Sequence, residues 1–376
     1  MLTASPESLD SQIEAARKEI ASDGYEMSMG ELINLYRDDE LIIHPEFQRL
    51  FRWEDLQKTR FIESLLLGIP IPPIFVFQTA SGKWELIDGL QRLSTVFEFV
   101  GVLKPRVRAE TPPTPTRLQG TTFLPGLGGR SWASAGNGSD IGIGNTAQLF
   151  IKRSRVRVEI LKKESDPTAK YELFQRLNTG GTRLTEQEVR NCVALMIDPS
   201  LQAWLVKQAG FASFQRTTDQ TEEALKKQAG VELVLRLLAF RNVKYEHGLD
   251  VHEYLDKSLI EIANKKVTLS LSVETSVFER TFSVLDKALG ANTFKRWDGD
   301  KFTGKFLMSL FEVIAVGVSQ NIDLIEAKGP RTRAFVIERA KALWNDPVFK
   351  KNSGAGIRGT TRLAKLLPMA SDFFRP

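Results

Sequence analysis

The stretch Trp84–Val100, WELIDGLQRLSTVFEFV, limits the possible fold more than any other part of the chain. Trp84, Leu86 and Ile87 form a short β-type run, Asp88-Gly89 interrupts it, and Leu93, Val96, Phe97 and Val100 return at helical spacing. The spacing predicts a strand that passes into a helix across Asp88–Arg92. Backbone N–H groups at a helix start lack partners, and the helix dipole favours anions there. Asp88, Gly89, Gln91 and Arg92 therefore put a carboxylate, a flexible glycine, an amide and a guanidinium where a phosphate can be held. Arg92 suits bidentate phosphate contact, and Asp88 suits a hydrated Mg²⁺ or a water. Taken alone, the segment also reads as an N-cap followed by a surface charge.

Two further blocks change that balance. In the first, Leu41–Ile43 reads as a strand that His44-Pro45 ends. A helix is predicted from about Glu54 to Leu67, with Leu56, Phe61, Ile62, Leu65 and Leu66 as its apolar face, Gly68 at C′ and Pro70 as a stop. Ile74–Phe77 is the next strand. Between the first strand and its helix lies Phe47-Gln48-Arg49, in the kind of loop where ligands of α/β folds collect. In the second block, the helical face Leu173, Phe174, Leu177 ends at Asn178-Thr179-Gly180-Gly181. Backbone amides there suit an anion nest or a plain helix–helix turn. Thr185 and Glu188 then form a capping box.

Strand–FQR–W–helix–GIPIPPI, then IDGLQRLST, then LFQRLNTGGTRLTEQEVRN, in this order, resembles the DGQQR-motif family of prokaryotic defence proteins. That family includes the nucleotide-hydrolysing subunit of GmrSD-type modification-dependent restriction systems and the N-terminal part of phosphorothioate-sensing SspE proteins. The resemblance runs over about residues 25–200. It implies an α+β chain: a ParB/sulfiredoxin-like N-terminal domain over 1–170, followed by an all-helical domain over 171–376. Carried over, Asp88, Gln91 and Arg92 are the catalytic candidates, with Asp88 also the metal ligand. Gln48, Arg49, Gly89, Ser94, Thr95, Arg176, Asn178, Gly180 and Gly181 form the nucleotide-binding set, with Asn178 reaching in from the second domain. Leu90 departs from the family, which often has a glutamine there, and a leucine offers no hydrogen bond.

The function implied is a Mg²⁺-dependent nucleoside-triphosphate-binding and -hydrolysing subunit of an anti-phage or restriction-type defence system that regulates a nucleic-acid-targeting effector. Its partners would be the nucleotide and DNA, bound directly or through a partner nuclease subunit, with homo-oligomerisation open. A non-catalytic nucleotide or DNA sensor, and a DNA endonuclease in its own right, are the competing readings. No His-Asn-His-like or Asp/Glu-x-Lys nuclease block can be assigned.

Composition narrows the classes further. With 376 residues and 42% apolar content, the chain can build two cored domains. The single cysteine, Cys192, excludes an intramolecular disulfide and a cysteine-rich zinc site, and burial in a helix is expected for it. His44, His247 and His252 lack ligand spacing. No signal peptide and no membrane-spanning run is read, so cytoplasm is the expected compartment. The net charge of +5 is a weak pointer to nucleic acid. Lys152–Lys163 reads as a strand with Val156, Val158 and Ile160 inward and Arg155, Arg157 and Glu159 outward. Residues 103–146, rich in Pro, Gly and Ser, read as a loop insertion with little order before Ala147. Beyond Thr185, helices are expected at Gly230–Phe240, about 250–264, 275–289, Phe302–Val318 and 331–345, and Gly354–Arg362 reads as a basic glycine-rich loop.

Overall fold

The alternation of Val156, Val158 and Ile160 with Arg155, Arg157 and Glu159 produces the strand expected of it, with the valines and isoleucine buried and Arg155 and Arg157 exposed. The computed structural model describes residues 22–44, 53–105, 111, 113–134, 141–162, 185–246, 248–354 and 356–376. By internal packing the chain divides into two units, Met1–Arg183 and Leu184–Pro376.

The first unit contains β1 (Ser22–Ser28), α1 (Met29–Arg37), β2 (Leu41–Ile42), α2 (Asp55–Leu67), β3 (Ile74–Gln78), β4 (Trp84–Asp88), α3 (Leu90–Val100), β5 (Arg130–Ser131), β6 (Ile141–Gly142), α4 (Asn145–Arg153) and β7 (Arg155–Leu161). Five of its strands form a mixed sheet in the order β1-β7-β3-β4-β2. β3 is antiparallel to β4 and parallel to β7, so strands from distant parts of the chain lie side by side. Fully buried Leu32, Ile62, Val76, Leu93, Val96, Phe97 and Val158 fill the core, and Tyr36 stacks on Phe97 with ring centroids 4.2 Å apart.

Helix α2 opens with a capping box between Glu54 and Gln57 and closes on left-handed Gly68. Phe61, Ile62 and Leu65 face the core. Leu56, expected on that face, is 38% exposed: it sits on the opposite side of the helix, where spacing of three and four residues aligns it with Arg60 and Glu63.

The insertion is more structured than a loop. Its described part holds a 3₁₀ turn (Pro125–Leu127) and the β5/β6 pair, and it runs into α4. The helix replaces the front of the strand expected from Lys152. Only Ile151 of α4 is buried, so no apolar period marks it in the sequence. β1 and α1 carried no expectation.

The second unit is helical. Thr185 caps Glu186–Ile197, accepting from the Glu188 N–H, while the Glu188 carboxylate takes the Thr185 N–H at 2.8 Å. Cys192 lies buried in this helix, and burial pushes its thiol well up. Helices Ala229–Asn242, Val251–Ala263, Leu271–Leu289 and Thr332–Ala342 stand where the spacing expects them. Two expectations are corrected. Phe302-Thr303 pairs with Arg296-Trp297 as a hairpin, because the Asp298 carboxylate accepts the Asp300 and Lys301 N–H groups in the turn; helix resumes only at Met308, with a π turn at Phe311–Ala315. Gly359–Phe374 is a helix reaching back into the expected loop. Gly359 serves close packing: a Cβ there would stand 2.5 Å from Val251 Cγ2.

A chain of alternating charges crosses this unit. Arg190, fully buried, donates to Asp256 at 2.6 Å and lies 3.0 Å from His252 Nδ1 and 3.8 Å from Glu232. Arg236 donates to Glu232 at 2.7 and 2.8 Å and lies 3.7 Å from fully buried Glu312, which takes a two-pronged bond from Arg362 at 2.6 and 2.9 Å. Burial pushes the Glu232 carboxyl up, and Arg236 and Arg190 more than reverse this, leaving it below its ordinary value. Among the described residues, no helix is long and apolar enough to cross a membrane.

Candidate functional site

The strand-to-helix passage expected at Asp88–Arg92 is present: β4 ends at Asp88, Gly89 stands at the N-cap, and α3 begins at Leu90. The pairing of β3 with β4 slips just before this point. Phe75 faces Asp88 while Val76 faces Leu86, so Ile87 is an extra residue in β4. Leu86 and Ile87 are consequently both buried, at 2% and 3% exposure, and Asp88 leaves the sheet half-buried. Bulges commonly re-aim a side chain in this way beside a functional site. Gly89 has φ +101°, and a Cβ there would stand 2.5 Å from Ile74 Cγ2, so both the backbone angle and the packing call for glycine.

Arg92 reaches back across the turn. Its Nη2 donates to Asp88 Oδ2 at 2.8 Å, and its Nη1 donates to the Pro73 carbonyl at 3.1 Å and to the Pro72 carbonyl. These contacts leave its side chain only 14% exposed, against 38% for Asp88. A cation in the first turn of a helix faces the positive end of the dipole, and the Asp88 carboxylate offsets this. Burial still dominates both partners. It pushes the Asp88 carboxyl up, over the lowering influence of Arg92 and the Gly89 N–H, and it pushes the Arg92 guanidinium down. The pair is therefore a desolvated one, in which each charge depends on the other.

Gln91 Oε1 accepts the Trp53 N–H at 3.1 Å, tying the start of α3 to the chain two residues before α2. No side chain caps the N-terminus of α3. Ser94 and Thr95 are fully buried; Thr95 Oγ1 donates to the Gln91 carbonyl at 2.7 Å, and Ser94 Oγ has no hydrogen-bond partner. Neither presents an atom at the protein surface. Gln48, Arg49, Arg176, Asn178, Gly180 and Gly181 lie outside the described residues.

The structure thus brings Asp88, Gly89, Gln91 and Arg92 together. It adds three groups that sequence reasoning missed: the Pro72 and Pro73 carbonyls, the Trp53 N–H and the bulge at Ile87. The Pro-Pro pair was the available signal, since proline lacks an N–H and its carbonyl is left for another donor. Among the described residues, no three His, Cys, Asp or Glu side chains cluster as a metal site. His44 pairs with Glu85 at 3.2 Å, and His247 lies outside the described residues. Mg²⁺ arriving on nucleotide phosphates commonly takes only one or two protein carboxylates, and Asp88 is the carboxylate at this turn.

A search of curated proteins found no match to the chain. Residues 29–195 do match a protein family, described as the GmrSD restriction endonuclease N-terminal domain. That span takes in the mixed sheet from α1 onward, the Asp88–Arg92 turn and most of the capped helix Glu186–Ile197. Over this segment, under half of the chain, the match supports a component of a restriction-type defence system.

Proposed function

We propose that the chain binds a nucleoside triphosphate with Mg²⁺ at the Asp88–Arg92 turn and hydrolyses its β–γ bond, using that cycle to license a nucleic-acid-targeting effector. The observation that carries this reading is the uncapped N-terminus of α3, opening directly off the strand that ends in Asp88. The N-terminus of a helix favours a phosphate through its dipole and first-turn N–H groups. The DGxQR pattern supports the same assignment. Bound Mg²⁺ would neutralise the phosphate charge that grows during transfer. Asp88 would hold that ion or orient the attacking water, Arg92 would keep the carboxylate in place and turn to a phosphate oxygen once the ion takes Asp88, and Gln91 would hold the turn against Trp53. Gln48, Arg49, Arg176, Asn178, Gly180 and Gly181 would complete the nucleotide contacts, and Ser94 and Thr95 would pack the helix behind them. The proposed compartment is the cytoplasm, and DNA is the proposed partner, directly or through a nuclease subunit.

Phosphate release with each of the four triphosphates, with and without DNA, tests the reading. Asp88→Asn should lower turnover about 100-fold or more while nucleotide still binds, since it removes the charge but keeps the shape. It should also lower stability, because Arg92 is left desolvated without its counter-charge. Because burial raises the Asp88 carboxyl, its contribution favours the folded state below the ordinary carboxylate value and is lost as pH rises through the raised one. Arg92→Ala should weaken nucleotide binding by about 1.5–3 kcal/mol. Wild-type protein that releases no phosphate under any condition overturns hydrolysis and leaves the sensor reading. The engagement of Arg92 by Asp88, Pro72 and Pro73 is the observation that favours the sensor.

A further inference from the structure

Helix α2 has a second face. Leu56, Arg60, Glu63 and Leu67 recur at four-, three- and four-residue spacing, opposite Phe61, Ile62 and Leu65. A helix with one apolar face normally leaves such residues to water. Here the insertion folds across them. The Gln119 N–H donates to Thr59 Oγ1 at 3.0 Å, Thr121 Oγ1 donates to the Glu63 carboxylate, and Thr116 Oγ1 donates to Glu98, which also takes Lys58 Nζ at 2.8 Å. Glu63 is left 7% exposed, and the Thr121 hydroxyl also accepts the Leu124 N–H at 3.0 Å.

Between helix and insertion lies an open cleft of about 450 Å³, lined by Leu56, Arg60, Glu63, Ser64 and residues 120–123. That volume suits a small organic ligand and far exceeds a bound ion or water. Three side chains in it have unspent capacity. Among the described residues, the Arg60 guanidinium makes no ion pair or hydrogen bond, and Glu63 uses one carboxylate oxygen on Thr121 and none on the other. Phe123 at the cleft is 78% exposed, the most exposed large apolar side chain among the described residues. A nearly buried carboxylate with a spare oxygen, a free guanidinium and a bare aromatic ring make three different demands on an occupant: N–H donors, an anion and a flat face. A nucleotide meets all three.

We propose that the cleft between α2 and the insertion binds one nucleotide unit of a nucleic-acid strand, with its base against Phe123, its amino-bearing edge at Glu63 and its phosphate at Arg60. The site is separate from the Asp88–Arg92 turn in its residues. It reads bases by their exocyclic amino group, so cytosine, adenine and guanine can satisfy Glu63, whereas thymine offers no such donor. A free nucleotide has the same chemistry, and the two sources separate in the test.

Anisotropy of fluorescein-labelled single-stranded decamers should show the full chain binding oligo(dC) more tightly than oligo(dT). Phe123→Ala and Arg60→Gln, both at exposed positions that leave the fold intact, should each weaken oligo(dC) binding about tenfold. Glu63→Gln keeps an acceptor for Thr121 and should bring oligo(dC) and oligo(dT) to within twofold of one another. Competition by dCMP adds the second arm. If dCMP displaces the decamer at a concentration near the decamer's own Kd, and Phe123→Ala abolishes both, the nucleotide site stands with free nucleotide as its ligand. Unchanged oligo(dC) affinity in folded Phe123→Ala and Arg60→Gln, or no wild-type binding of any decamer or of dCMP, overturns it. Phosphate release without DNA should be the same in Phe123→Ala as in the wild type, so failure of this site and failure of the Asp88 reading are told apart.

Discussion

Arg190→Ala should cost the helical unit about 3–5 kcal/mol, the range for removing one partner from a buried ion pair. The guanidinium is completely buried and holds Asp256 at 2.6 Å, with His252 and Glu232 around it. Its removal leaves Asp256 and Glu232 facing each other's charge without the cation between them. Urea unfolding should show the transition of residues 184–376 moving to much lower denaturant. Arg190→Lys keeps the charge but loses the fork that reaches both Asp256 and His252, so it should fall between alanine and wild type. An alanine variant within 1 kcal/mol of wild type would mean that the chain of charges contributes little. That outcome is already hard to reconcile with a fully buried arginine, since such a group is tolerated only when its partners compensate for lost water.

Gly89→Ala should cost about 2–4 kcal/mol, combining the strain of a positive φ at a residue with a side chain and the overpacking of a tight contact. The new methyl would meet Ile74 Cγ2 at 2.5 Å, where neither the strand nor the turn has room to give. The same variant should weaken nucleotide binding, because the collision shifts the turn that carries Asp88 and Arg92. A double-mutant cycle with Ile74→Ala separates the two causes. Relief of the clash should appear as a favourable coupling, and the cost that remains is the backbone's. A folded Gly89→Ala protein of wild-type stability would sink the close packing of this turn against β3.

Where local signals carried the information, the sequence was readable. Asp88-Gly89 between an apolar run and a helical period, Gly68 after Leu67, and Thr185 three residues before Glu188 are short-range patterns with a direct backbone cause, and each appears in the structure. The misreadings have equally specific causes. Helix α4 buries only Ile151, so the basic alternation beginning at Arg155 seemed to extend back through Lys152 and Arg153. The burial of Arg190 depends on His252 and Asp256, more than sixty residues away, and no window of sequence contains both. Ser94 and Thr95 entered the candidate site with the family resemblance, but the turn of the helix carries both into the core. Arg92 itself looked like a side chain waiting for a ligand. Its occupation by Pro72 and Pro73 follows from β3 lying next to β4, a pairing that the order of strands alone did not disclose.

The bulge at Ile87 makes the turn depend on how many residues precede it as well as on which ones they are. Side chains in a strand alternate between faces, so one residue more or fewer sends every later side chain to the opposite side. β4 uses its one surplus residue immediately before Asp88, after the pairing with β2 has been completed at Trp84 and Glu85. A substitution at Ile87 would alter packing and leave the carboxylate where it is. Loss of Ile87, by contrast, would restore regular pairing with Phe75 and Val76 and remove the bend through which β4 leaves the sheet into the turn, with every other residue intact. Descendants of this sequence can therefore exchange side chains along β4 with some freedom, while its length between Glu85 and Gly89 is not open to change.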